Sequence, residues 1–163
     1  MSLVSRDDFK KVMASFAAGV TVVTTVDDDG SLWGLTATAF SSLSLDPPLC
    51  LVCVDRRAGS HAPLGRSRKF GVSMLCAEQQ LLSNRFASPL DDKFAGVDYR
   101  FGEVTGCPLL DSALATLECE VVQIYEGGDH DIFVGRICAT SVDEGARPLV
   151  YWRGNYGDVA PRN

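Results

Sequence analysis

Apolar and polar positions along the chain follow two rhythms. The first is helical: in SRDDFKKVMASFAAG, Phe9, Val12, Met13 and Phe16 recur at i, i+3, i+4 and i+7, the spacing of one stripe on an α-helix. Ser5 is placed to cap this helix, Asp7 and Asp8 suit its positive first turn, and Gly19 is placed to end it as a left-handed cap. One apolar stripe means one buried face, so the helix is expected to cover something larger. Two more helices are expected, a short one over 60–67 and one over EQQLLSNRFA, 78–87.

The second rhythm belongs to strands. VTVVTTV (20–26), a DDDG turn and SLWGLTATAFSSLSL (31–45) read as a hairpin. Asp46, Pro47 and Pro48 break pairing, after which LCLVCV (49–54) and FGVSML (70–75) resume it. LECEVVQIYE (117–126) and DIFVGRICATSV (131–142) read as a long hairpin, and PLVYWRG (148–154) as a last strand. Strands follow one another through hairpins, without regular β-α-β alternation. The pattern predicts a mainly β domain, a closed or partly closed antiparallel barrel with a few covering helices. No G-x-G-x-x-G follows a strand, which disfavours a doubly wound nucleotide fold.

Composition narrows the class. At 163 residues, with 46% hydrophobic and 22% charged, the chain reads as one globular domain over 1–163. The N-terminus turns charged within its first residues, unlike a secretory signal, and no apolar run approaches the ~20 residues of a membrane span. A soluble, cytoplasmic protein is expected. The net charge of −6 argues against a nucleic-acid partner. Between Asp55 and Lys69, however, five cations (Arg56, Arg57, Arg66, Arg68, Lys69) face one anion. Such a stretch suits a small phosphate-bearing ligand and a solvated face equally well.

Six cysteines invite a metal or disulfide reading. Cys50 and Cys53 have the C-x-x-C spacing, but on a strand an offset of three sends them to opposite faces. With two distant histidines, no metal site is expected, and the cysteines read as core thiols.

Two segments carry candidate chemistry. On a strand, GLTATAFSSLS would put Thr36, Thr38, Phe40 and Ser42 on one face and Ala37, Ala39, Ser41 and Leu43 on the other. A face of small hydroxyl residues leaves room for a flat polar ligand, or permits close strand packing; composition alone does not choose. In EGGDHDIFVG, His130 sits between two aspartates after a glycine pair. Local sequence permits either a polar turn residue or a working imidazole. His61, in RRAGSHAPLG, reads as a surface histidine at a helix start, outside any site.

FKKVMASFAAGVTVVTT, GLTATAFSSLSLDPPL, QQLLSNRFA, DKFAGVDY, GDHDIFVGRI and PLVYWRGNY occur in this order over residues 6–157. As a set they resemble the flavin reductase-like family of FMN-binding split barrels, in particular the reductase components of two-component flavin-dependent monooxygenases. The resemblance implies a homodimeric six-stranded antiparallel Greek-key barrel, with FMN or FAD at the barrel edge near the dimer interface. It implies that Thr36, Ala37, Thr38, Ala39 and Phe40 hold the flavin ring, largely through backbone amides, with Ser42 nearby. Many relatives carry Asn or Ser at the position of Thr38, which keeps a hydroxyl but lacks an amide. Cys53, Val54 and Asp55 would run along the ring and ribityl chain. Ser60 would lie near the phosphate, with Ser83, Arg85 and Phe86 as a second phosphate-side segment. His130 would lie beside the nicotinamide of NADH or NADPH, with Gly154 and Tyr156 facing it. The implied reaction is hydride transfer from nicotinamide C4 to flavin N5, with reduced flavin passed to a partner monooxygenase. Two alternatives remain: a tightly bound flavin that passes electrons to another acceptor, and a non-catalytic flavin- or haem-binding module.

Overall fold

The computed structural model describes residues 4–159. In chain order the elements are α1 (Arg6–Met13), β1 (Ala18–Gly19), β2 (Thr21–Val26), β3 (Leu32–Ala37), β4 (Phe40–Ser44), β5 (Leu49–Asp55), α2 (His61–Ser67) and β6 (Lys69–Met74). A 3₁₀ turn (Ala77–Gln79) then leads into α3 (Gln80–Ala87), followed by β7 (Tyr99–Phe101), β8 (Pro108–Leu110), β9 (Ala115–Gly127), β10 (His130–Val142), β11 (Leu149–Trp152) and β12 (Asn155–Asp158).

Seven strands form one antiparallel sheet in the order β3-β2-β6-β9-β10-β5-β4. Its two edges, β3 and β4, are consecutive in the chain and separated only by Thr38 and Ala39. Successive Cα atoms are about 3.8 Å apart, so Ala37 and Phe40 can be no more than about 11 Å apart. The sheet must therefore curl until its edges meet. At the meeting point Cys53 N–H donates to the Ala39 carbonyl at 2.9 Å. No ladder joins β3 to β4, so the sheet stays open rather than closing as a six-stranded barrel.

This corrects the single strand expected over 31–45. Ala37 pairs with Thr21, the first residue of β2. Beyond it the chain has no partner on that side and crosses to the other edge. The shared face expected for Thr36, Thr38, Phe40 and Ser42 is broken with it.

Apolar side chains fill both sides of the curled sheet. Val23, Val52, Val54, Leu64, Phe70, Val72 and Phe133 pack inside. Val22, Leu75, Phe86, Phe94, Leu110 and Leu149 form a second cluster, where β2 is covered by α3 and by β8 and β11. β5 alternates strictly: Cys50, Val52 and Val54 are buried, while Cys53 and Asp55 face outward. The C-x-x-C cysteines thus point apart, and Cys50 Sγ instead lies 3.6 Å from Cys119 Sγ. Four of the six cysteines are buried; Cys53 is half-buried and Cys138 exposed, so two of them are not core thiols.

The first helix departs most from expectation. Ser5 does cap it, accepting from Asp8 N–H at 3.1 Å. But Phe9, Val12, Met13 and Phe16 are 60%, 68%, 51% and 73% exposed, so the apolar stripe is not buried by any of the described residues. The helix ends at Ala14, and Gly19 pairs with Val150 in β1 rather than acting as a left-handed cap. A stripe states that a face demands burial; it does not say by what. The small strands β1, β7, β8 and β12, too short to show a period, were not expected.

Candidate functional site

The crossing from β3 to β4, the end of β5 and the start of β10 converge on one cleft. Asp55 ends β5 and pairs in register with His130, the first residue of β10. Gly128 opens the β9–β10 turn with φ of 81°, and Asp129 follows at negative φ, the pattern of a type II′ turn with glycine first. A cavity of about 560 Å³ runs from His130 past Thr38, Ala39 and Cys53 to Ser60, Phe86 and Lys93.

Its floor depends on a missing side chain. A Cβ on Gly34 would stand 2.6 Å from one ring carbon of Phe86 and 2.7 Å from the next. Phe86 can therefore lie flat against β3, fully buried beneath the cleft. Thr36 Oγ1 donates to the Ser83 carbonyl at 2.6 Å, tying β3 to α3. Tyr156 OH donates to Asn84 Oδ1 at 2.9 Å and lies 2.8 Å from Ser83 Oγ, tying α3 to β12.

Three sets of donors in the cleft wall lack partners among the described residues. The Thr38 and Ala39 amides, freed by the crossing, donate to no acceptor there. Ser60 is 4% exposed, and its hydroxyl neither caps the helix nor bonds to any described residue. Lys93 Nζ donates to Gly34 O at 3.1 Å and Phe86 O at 2.8 Å, which leaves one of its three N–H groups free. Desolvation pushes the Lys93 amine below its ordinary pKa, a shift that an anion beside it would reverse.

Four arginines of the basic stretch already have partners within the protein. Arg57 bonds the Asp55 carboxylate at 2.7 Å and, with its own backbone N–H, holds that carboxyl well below the usual range. Arg56 donates to Asp131 at 2.7 and 2.9 Å, with Glu126 3.8 Å away. Arg66 pairs with Asp27, and Arg68 donates to Val121 O at 3.3 Å. The charge run is thus a solvated face laced with ion pairs, with Arg57 alone of its arginines lining the cleft. His61 is also not a loose surface residue. Its Nε2 is 2.8 Å from Asp131 and its ring packs edge-on to Phe133.

The residues of this cleft lie within a match to the family model described as flavin reductase like domain, which covers residues 13–160. The chain belongs to the flavin reductase-like family. Family members include the reductase subunit HsaB of a flavin-dependent monooxygenase from Rhodococcus jostii, 39% identical over 153 residues, covering 94% of this chain and 77% of that protein. A flavin reductase (NADH) from Kitasatospora aureofaciens is 38% identical over 156 residues, or 94% and 82% of the two chains. Among solved structures, the NADH:FAD oxidoreductase SgcE6 of Streptomyces globisporus, in complex with NAD and FAD fragments, superposes with a TM-score of 0.92. It is 37% identical, and the match covers 99% of this chain and 98% of that one. The mainly β architecture with few helices is that of this flavin reductase.

Within this flavin reductase-like fold, the expected site residues divide. Thr36, Ala37, Thr38, Ala39, Cys53, Asp55, Ser60, Phe86 and His130 line the cleft together. Val54 points into the core instead, because β5 alternates. Phe40 faces a separate apolar groove with Phe16 and Met74. Ser42 lies exposed on β4, paired in register with Cys50. Ser83 is buried behind the wall, and Arg85 turns away, donating to Lys93 O at 2.7 Å and Ala95 O at 2.6 Å. Gly154, at φ of 79°, forms the β11–β12 turn, and Tyr156 braces α3 from behind.

Lys93 is a charged cleft residue that sequence reasoning missed. It stands in the DKFAGVDY motif, where Asp92 accepts from the Phe94 and Ala95 amides, each at 3.0 Å. That turn folds the loop back under α3 and delivers the lysine to the cleft. A Lys just after a turn-forming Asp in a family motif was the available signal.

Proposed function

We propose that this protein is an NAD(P)H:flavin oxidoreductase that reduces FMN or FAD and supplies the reduced flavin to a partner monooxygenase. One observation carries this reading: the unpartnered Thr38 and Ala39 amides open into the same cleft as His130, at the point where the sheet splits. A flavin fits the residues present. Its ring presents carbonyl acceptors, and the Thr38 and Ala39 N–H groups are donors without partners. Apolar side chains from Leu35, Ala37, Phe86 and Cys53 flank them. At the other end the Ser60 hydroxyl and the free N–H of Lys93 suit a phosphate.

The flavin, when bound, supplies the hydride acceptor at N5. The chain's own residues bind, orient and exclude water. His130 Nδ1 lies 2.7 Å from Asp129 Oδ1, and the hydrogen bond from His130 lowers the pKa of Asp129. A carboxylate can only accept, so Nδ1 carries the proton. Nε2 of the neutral ring is then an acceptor, suited to the carboxamide NH₂ of a nicotinamide; it donates only as imidazolium. Asp129 thus fixes the tautomer of His130, and the II′ turn fixes its place.

The apolar stripe of α1 supports a homodimer. Phe9, Val12, Met13 and Phe16 are too exposed for an isolated chain of one domain, and a second copy would bury them. Among the described residues no helix is long and apolar enough to cross a membrane, in keeping with a cytoplasmic enzyme.

Stopped-flow reduction of bound flavin by NADH and by NADPH tests the reading, with His130→Ala beside the wild type. The variant is expected to bind flavin as before while reduction slows about 3- to 10-fold, the loss of one hydrogen bond. Unchanged reduction kinetics would remove His130 from the nicotinamide site, and failure of the wild type to bind any flavin would remove the function.

A further inference from the structure

His61 and Asp131 stand outside the cleft, yet each is the chain neighbour of a residue that lines it. On β10, His130 lines the cleft and Asp131 does not. On the loop after β5, Arg57, Ala58, Gly59 and Ser60 line it, while Arg56 and His61 do not. Behind the wall, Arg56 and His61 meet on Asp131. Its Oδ1 accepts from Arg56 Nε and Nη2 at 2.9 and 2.7 Å, and its Oδ2 lies 2.8 Å from His61 Nε2. A carboxylate only accepts, so Nε2 carries the proton. The His61 ring also packs edge-on against Phe133, two residues along β10 from Asp131 and on the same face. Backbone hydrogen bonds do not make this link. Arg56 N–H donates to Asp129 O at 3.1 Å, but beyond it the loop bonds only locally, Ala58 N–H to Asp55 O and His61 N–H to Ala58 O. Among the described residues, the one hydrogen bond from 57–61 to β10 is that of the His61 ring. The two side chains are only 21% and 13% exposed, so water competes weakly for the pair.

We propose that His61 and Asp131 are positioning residues that fix the spacing between the Ser60 and His130 ends of the cleft. A flavin anchored by its phosphate at one end is thereby held at the right distance from the nicotinamide at the other. The proposal rests on the flavin reading of the cleft. Neither residue lines the cleft; each acts through its neighbour in the chain. When the His61–Asp131 bond is lost, Arg56 still holds Asp131, so the imidazole of His130 stays in place. The Ser60 end of the loop is released instead. The phosphate anchor then drifts, and the ring drifts with it. Hydride transfer depends steeply on the separation of the reacting atoms, so the loss falls on the reduction step more than on NADH binding.

Titration of the full-length protein with riboflavin and FMN, joined to stopped-flow reduction of bound FMN by NADH, tests this. His61→Leu should lose about fivefold of FMN affinity, the scale of one hydrogen bond, with riboflavin affinity unmoved. Its reduction rate at saturating NADH should fall about tenfold, with the KM for NADH little changed. His61→Asn, too short to reach Asp131, should behave as His61→Leu does, so either variant serves if the other fails to fold. His61→Gln places an amide N–H where Nε2 stood and should restore both properties; thermal melts confirm that each variant is folded. A folded Leu or Asn variant that binds and reduces FMN as the wild type does would overturn the proposal, leaving the network a purely structural one. So would equal losses for riboflavin and FMN, or a folded Gln variant no better than Leu. Failure of the wild type to bind either flavin would instead bring down the flavin reading of the cleft itself.

Discussion

Gly34→Ala should damage the cleft from below, and the structure sets the scale. The added Cβ would stand 2.6 and 2.7 Å from two Phe86 ring carbons and 3.4 Å from Phe94 Cζ. Phe86 cannot retreat: it is fully buried, and Phe94 packs edge-on against it at 5.1 Å between ring centroids. Forcing a methyl into such packing typically costs about 1–3 kcal/mol. For a chain of this size that corresponds to a fall of roughly 2–12 °C in Tm. Because Phe86 also lines the cleft, flavin affinity should fall with it. Differential scanning fluorimetry with and without FAD, together with flavin titration, reads both effects. A second variant makes the reasoning exact about its cause. Phe86→Leu alone opens a void and should also destabilise, whereas Gly34→Ala with Phe86→Leu should be better than the sum of the two, as contacting residues couple. A single Gly34→Ala variant as stable as wild type would refute the argument, as would strict additivity in the double variant.

Three further outcomes follow from the same geometry. Lys93→Ala should weaken FMN binding about tenfold or more, the scale of a hydrogen bond to a charged group, and leave riboflavin binding unmoved; equal losses for both would remove Lys93 from the phosphate. Cys53 lines the cleft and Cys138 is exposed, while Cys50, Cys76, Cys107 and Cys119 are buried. N-ethylmaleimide should therefore label Cys138 and Cys53 first by peptide mass spectrometry, and saturating flavin should protect only Cys53. Asp131 has its pKa lowered chiefly by the hydrogen bond from Arg56, with His61 adding to it. A depressed carboxylate stabilises the fold above its unfolded pKa of 3.8 and loses that contribution as pH falls through the folded value. The stability gap between wild type and Asp131→Asn should thus close below about pH 4; a gap that persists unchanged there in urea melts would contradict it.

How much of this was legible in the sequence depends on the range of the interaction involved. The Ser5 cap and the hairpin turn at Gly128 are local, set by residues within one turn, and they could be read directly. So could the opposed directions of Cys50 and Cys53. The crossing at Thr38 and Ala39 could not, since neither Gly nor Pro marks it. It occurs because β2 begins at Thr21 and leaves Ala37 without a successor in the ladder, a fact of pairing rather than propensity. The basic stretch was misread for a related reason. Arg56 and Arg66 look available in a charge count, yet their partners Asp131 and Asp27 are supplied by β10 and the β2–β3 turn, whereas the partner of Arg57, Asp55, lies two residues away. Arg85 has the chemistry expected of it but turns away from the cleft, whereas Lys93 lines it.

The split in the sheet ties these observations together. Edge strands leave backbone donors and acceptors unpaired, usually a liability that a protein must cover. Here the two edges meet at one point, where the Ala39 carbonyl is taken by Cys53 and the Thr38 and Ala39 amides are not. Closing the barrel with one more ladder would pair those amides and remove the ligand donors. Opening it wider would carry them away from Cys53, Asp55 and His130 on the neighbouring strands. The incomplete closure is therefore what sets an edge with free donors beside a hairpin with an oriented imidazole. In that arrangement a flat cofactor would complete the hydrogen bonding that the sheet itself leaves open.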